Sequence, residues 1–99
     1  MYLMREVLYC KPGKVRPMIE KFQALSEISE SMGHPGFRLL TDVSGERFWT
    51  LVAESEAESL DAFQEMEREV MASPEAQQAM AGYHDLILEG RRELYSIED

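Results

Sequence analysis

The side chains best suited to chemistry gather late in the chain, in the run YHDLILEGRRE from Tyr83 to Glu93. His84 is the candidate acid/base, because an imidazole changes charge near neutral pH. Asp85 is its sequence neighbour, and on a helix the two side chains diverge by roughly 100°. Asp85 is therefore a poor orienter, and the competing use of His84 is to meet free carbonyls at a helix end. Tyr83 offers a hydroxyl donor on an apolar ring. Arg91 and Arg92 are consecutive, so in a strand they point to opposite faces. Whichever faces the covered side needs a partner, Glu6, Asp42 or Glu93, or else a ligand anion. Arg5 and Arg38 pose the same problem in other strands. Trp49, the single tryptophan, fits either a ligand wall or a core and dimer contact.

Other chemistries find little support. His34 and His84 are far apart and no Cys/His spacing motif exists, so no metal is expected. Glu65 and Glu69 read as a solvated helix face, and no serine or cysteine sits in a nucleophile motif. No motif calls for a cofactor. The stretch YCKPGKVRP, Tyr9 to Pro17, places Cys10 beside Lys11 and Lys14, which would lower a thiol pKa, whereas a buried thiol is inert. A phosphate cradle needs converging glycine amides, and this stretch has Gly13 alone.

Residues 1–47 hold seven Lys/Arg and six Asp/Glu; residues 48–99 hold three Arg and thirteen Asp/Glu, giving +1 and −10 and the total of −9. Nucleic acid and bare anionic membrane are therefore unexpected partners. No apolar run approaches the roughly 18 residues of a membrane span, and Arg5 and Glu6 interrupt the opening stretch that a signal peptide would keep apolar. A single domain over residues 1–99, soluble and cytoplasmic, is the expectation.

The elements that would hold these residues follow from periodicity. Tyr2 to Cys10 reads as a strand with two largely apolar faces. Val15, Met18, Ile19, Phe22, Leu25, Ile28 and Met32 share one helical face, starting near Gly13 or Lys14 and stopped by Gly33. FRLLTDV (Phe37 to Val43) and RFWTLVAE (Arg47 to Glu54) read as a hairpin around a tight turn at Ser44 to Glu46. Ser55 to Glu58 has the form of a capping box before a helix carrying Leu60, Phe63, Met66 and Val70, with Glu67 as an impurity in that face. Ser73-Pro74 restarts a helix whose buried side would hold Ala76, Met80, Tyr83 and Ile87, with Gly90 as its stop. The last strand is Arg91 to Ile97.

The order β-α-β-β-α-β is the ferredoxin-like α+β arrangement, a four-stranded antiparallel sheet with its helices on one face. The other sheet face carries large apolar residues, and a second copy is its simplest cover, so a homodimer is expected. KPGK after the first strand, RFWTLVAE in the hairpin and the terminal GRRELYSI resemble the dimeric α+β-barrel superfamily, within it the antibiotic-biosynthesis-monooxygenase-like and NIPSNAP-like groups. The resemblance implies a dimer with a pocket in each subunit between sheet and helices. It further implies a small apolar or aromatic ligand, with cofactor-independent monooxygenation or isomerisation as the chemistry if there is any. Trp49, Tyr83, Arg5 and Arg92 are then the candidate ligand contacts and His84 the candidate acid/base. Haem-degrading members combine a strand-one Asn, a strand-three Trp and a helical His. Trp49 and His84 match two of these, but the chain contains no Asn. The alternative reading is a non-catalytic oligomeric interaction or stress-related module, with haem binding ranked last.

Overall fold

A computed structural model describes residues 1–98. Its elements are β1 (Tyr2–Cys10), α1 (Val15–Ser31), β2 (Arg38–Thr41), β3 (Thr50–Ala57), α2 (Leu60–Ala72), α3 (Pro74–Ala79), a 3₁₀ turn (Tyr83–Asp85) and β4 (Ile87–Ser96). The strands pair antiparallel in the order β2-β3-β1-β4. This is the ferredoxin-like α+β architecture expected from the element order.

Alternation along the strands decides which residues meet the helices. Met4, Leu8 and Cys10 of β1 and Leu51 and Ala53 of β3 join one buried cluster with Met18, Phe22 and Leu25 of α1 and Phe63, Met66 and Val70 of α2. All three helices therefore lie on one sheet face. Cys10 is 2% exposed, and burial pushes its thiol pKa up, so the neighbouring lysines do not activate it. No helix among the described residues is long and apolar enough to cross a membrane.

The hairpin differs from the expectation. β2 ends at Thr41 and β3 begins at Thr50, so a long loop, 42–49, replaces the tight turn at Ser44 to Glu46. Side chains hold it in place of ladder bonds. The Thr50 amide donates to Asp42 Oδ1 at 2.8 Å, and the Thr50 hydroxyl donates to the Arg47 carbonyl at 2.9 Å. Trp49 sits at φ 61°, the left-handed region that aromatic residues rarely adopt. That turn aims its carbonyl at the Cys10 amide, 2.9 Å away.

The second half departs in two further places. Ser55 and Glu56 continue β3, because Tyr2, Leu3 and Met4 pair with Ala57, Glu56 and Ser55. The cap is Ser59 instead, whose hydroxyl accepts from the Ala62 amide at 3.0 Å. Pro74 does restart a helix, with Ser73 accepting from the Ala76 amide, but it ends at Ala79. Gly82 at φ 82° breaks it, a conformation that only glycine takes readily. Tyr83, His84 and Asp85 follow in the 3₁₀ turn, so the anticipated helical face from Ala76 to Ile87 does not exist. β4 starts at Ile87, not Arg91, and Gly90 is an interior strand position opposite Leu8. A Cβ there would stand 3.0 Å from Leu8 Cδ2, so the glycine serves close packing and not a stop.

These caps make a direct test. Ser59→Ala removes the acceptor for the Ala62 amide and is expected to cost about 1 kcal/mol, whereas Glu58→Gln changes stability by less than about 0.5 kcal/mol. Urea unfolding followed by circular dichroism reads both.

Candidate functional site

A cavity of about 280 Å³ lies between the sheet and the helices. That is near the small end of the roughly 300–1,000 Å³ typical of ligand pockets. Its floor is sheet: Met4 and Leu8 of β1 and Ala53 of β3. Phe22 and Leu25 of α1 with Phe37 form one wall, and Met66, Val70 and Met71 of α2 the other. Met80 and Tyr83 close one end. Four of these are methionines, whose flexible thioethers adapt to a guest's shape. The closing end is tied down by Lys21 of α1, whose ammonium donates to the Ala81 carbonyl at 2.5 Å. Tyr83 is half-buried and stacks on His84 with ring centroids 4.0 Å apart.

Three charged residues line the cavity: Glu6, Glu67 and Arg92. Glu6 of β1 stands directly across the ladder from Arg92 of β4, with both on the helix-facing side. Arg92 Nε and Nη2 donate to Glu6 Oε1 at 2.9 and 2.6 Å, and Nη1 lies 2.7 Å from Glu67 Oε2 on α2. The guanidinium also sits 5.5 Å from the Phe63 ring centroid, within cation–π range. Burial opposes the charge on Arg92, but Glu6 and Glu67 outweigh it and raise its pKa. Arg92 is thus the member of the Arg91–Arg92 pair that faces the helices. Glu67, which looks like an impurity in the apolar face of α2, is its second partner.

The opposite sheet face carries a separate array. Arg5 Nε donates to Glu54 Oε2 at 2.7 Å, and Arg38 donates to the other oxygen of that carboxylate. Arg5 also reaches Glu93 at 3.7 Å, which Arg91 Nε bonds at 2.6 Å. Arg91 bonds the Tyr9 hydroxyl, and Tyr95 donates to Glu93 at 2.9 Å. The 42–49 loop leans over this face through Arg47, whose guanidinium lies 4.1 Å above the Tyr9 ring and pairs with Glu89. Glu54 has a side chain only 6% exposed. The Arg38 hydrogen bond holds its carboxyl below the usual range; burial opposes this and Arg5 reinforces it.

The five residues singled out from the sequence are therefore dispersed. Tyr83 and Arg92 line the cavity. Arg5 lies on the opposite sheet face, in a cleft with Tyr9, Arg47 and Glu54. Trp49 is 44% exposed and lines a shallow groove with Phe48, Val15 and Ile19. His84 is exposed and lines none of these hollows. Trp49 and His84, which match the haem-degrading pattern, share no cavity. Among the described residues no group of three or more His, Cys, Asp or Glu is arranged to hold a metal. Glu6, Glu67 and the methionines are the cavity residues the sequence did not single out as a site. A carboxylate inside an apolar helical face was the available signal for Glu67.

Glu54→Gln strips a nearly buried carboxylate from between Arg5 and Arg38, and is expected to cost about 1–3 kcal/mol at pH 7. A carboxyl pKa depressed by folding contributes stability above its unfolded value near 4.3 and loses it as pH falls through the folded value. The variant should therefore lose least at acid pH, so its deficit shrinks below about pH 4. Urea titrations at several pH values measure this; a deficit that grows toward acid contradicts it.

No protein-family model matches the chain, and no curated protein matches it in sequence. Solved structures do match it in shape. An uncharacterised NIPSNAP domain protein from Burkholderia xenovorans superposes with TM-score 0.81 at 15% identity, covering 99% of this chain and 95% of that one. A NIPSNAP family protein of unknown function from Agrobacterium tumefaciens gives 0.80 at 19% identity, covering 96% and 86%. A candidate antibiotic biosynthesis monooxygenase from Nitrosomonas europaea gives 0.70 at 14% identity, covering 97% of each chain. The chain thus has the α+β fold of the NIPSNAP and antibiotic-biosynthesis-monooxygenase proteins.

Proposed function

We propose that the chain binds a small apolar, aromatic molecule in the cavity between sheet and helices. The observation that carries the reading is the cavity itself: apolar and methionine-rich walls, with one cluster of charges and one tyrosine to orient a guest. Where chemistry follows binding, the class is cofactor-independent monooxygenation or isomerisation of that molecule. Glu6 and Glu67 are the carboxylates within the cavity available to accept a proton. The Nitrosomonas europaea neighbour, described as a candidate monooxygenase, supports that class. His84, Trp49 and Arg5 have no place in this reading, because each lies outside the cavity.

We further propose that a second copy covers the open sheet face. Leu40 and Tyr95 stay exposed on it, and Val43 and Phe48 on the adjoining loop. Its rows of alternating Arg and Glu suit a two-fold mate, in which each acid can meet the partner's base.

The first reading is tested with N-phenyl-1-naphthylamine, a neutral dye that brightens in apolar surroundings. One dye per chain is expected to bind with micromolar affinity. Met71→Trp, at the cavity rim, should weaken it by about tenfold or more; His84→Ala should leave it unchanged. Undiminished binding by Met71→Trp, or none by the unmodified chain, refutes the reading. Oxygen uptake with a panel of quinols then tests the chemistry. For the second, light scattering should return twice the mass of one chain, and a single-chain mass at micromolar concentration refutes it.

A further inference from the structure

The charge of the cavity decides what kind of aromatic molecule it accepts. Among the described residues, Glu6, Arg92 and Glu67 are its only charged lining residues, and ionised together they sum to −1. An arginine beside an apolar pocket usually suggests an anionic ligand, since its fork matches a carboxylate. Here three of the five N–H donors are already engaged: Nε and Nη2 hold Glu6, Nη1 lies on Glu67, and Phe63 backs the plane. An anion on the two remaining N–H groups would stand beside the Glu6 and Glu67 carboxylates, whose like charge opposes it, and taking the engaged ones would leave a carboxylate without its cation. The carboxylates keep free acceptor capacity as well. Among the described residues, no donor lies on Glu6 Oε2 or Glu67 Oε1. The Glu6 and Glu67 side chains are 24% and 40% exposed, enough to be reached from the cavity.

From this geometry we infer that the cavity, on the binding reading above, selects a neutral aromatic molecule carrying a hydroxyl or amine donor and rejects the aromatic carboxylate of the same size. The donor points to the Glu6–Arg92–Glu67 end, and the ring lies among Phe22, Met66 and Val70. Such a donor meets a charged acceptor, an interaction of roughly 1.5–3 kcal/mol. A carboxylate in its place meets two of its own sign, held at fixed positions by Arg92. Arg92 acts as a positioning residue: it fixes the two acceptors and does not itself bind the guest.

The test compares 2-naphthol, 2-naphthoate and naphthalene, which share one skeleton, as competitors of N-phenyl-1-naphthylamine at neutral pH. The unmodified chain should bind 2-naphthol about ten- to a hundredfold more tightly than 2-naphthoate, with naphthalene between them. Glu67→Gln brings the cluster to zero charge and should narrow the gap. Glu6→Gln with Glu67→Gln leaves Arg92 unopposed and should reverse the order, which a merely structural role for the carboxylates would not do. Circular dichroism establishes that each variant is folded; should the double variant unfold, Glu67→Gln alone carries the test. If 2-naphthoate binds the unmodified chain as tightly as 2-naphthol, or Glu67→Gln leaves the gap unchanged, this inference falls while the binding reading stands. If no naphthalene compound displaces the dye, this inference falls, and the dye with Met71→Trp decides the binding reading separately.

Discussion

The ladder between β1 and β4 sets two oppositely oriented ion pairs on successive residues. Arg5 stands opposite Glu93 on the open side of the sheet, and Glu6 stands opposite Arg92 on the helix side. The whole arrangement depends on that register. A slip of one residue would turn the charged positions of one strand through the sheet, leaving Arg92 to face the open array and setting Arg91 or Glu93 opposite Glu6 in its place. The close approach of Gly90 to Leu8 helps to pin the pairing, because a slip would set a residue with a side chain in the place of Gly90 against Leu8.

With the register set, the helices complete the cavity. α1 and α2 each bury an apolar stripe on the sheet, but Met66 and Val70 with Phe22 and Leu25 leave the space between them incompletely filled. α3 and the 3₁₀ turn then bend back to close the end. The bend needs Gly82 in the left-handed region, and Lys21 ties the preceding carbonyl to α1. Tyr83 is brought to the cavity by this short segment, while His84 next to it is turned to solvent. One position along the chain separates a residue that lines the cavity from one outside it.

The two sheet faces divide the chemistry. On the helix side one ion cluster interrupts an apolar surface; on the open side charged pairs dominate and the apolar residues lie between and around them. Proteins sharing this fold carry different labels, from NIPSNAP domains to a candidate monooxygenase, so the architecture alone does not choose an activity. In this chain the cavity is lined by methionines, aromatic rings and a clamped arginine.

The element order was legible in the sequence, because periodicity of two and of 3.6 residues is a local property. So were the first strand and helix, the restart at Ser73-Pro74 and the opposed directions of Arg91 and Arg92. The ends of the other elements were not local. β3 runs to Ala57 because β1 is there to pair with it, and the 42–49 loop exists because Asp42, Arg47 and Trp49 find partners distant in the chain or only across the loop. The dispersal of His84, Trp49 and Arg5 has the same cause: residue type announces chemical capacity, whereas shared location is settled by packing. The sequence determined which residues share a face of each strand and that one of Arg91 and Arg92 would need a partner on the covered side. Only the tertiary structure decided that two carboxylates would hold it, since Glu6 and Glu67 lie on different elements and meet Arg92 only when α2 is laid across the sheet.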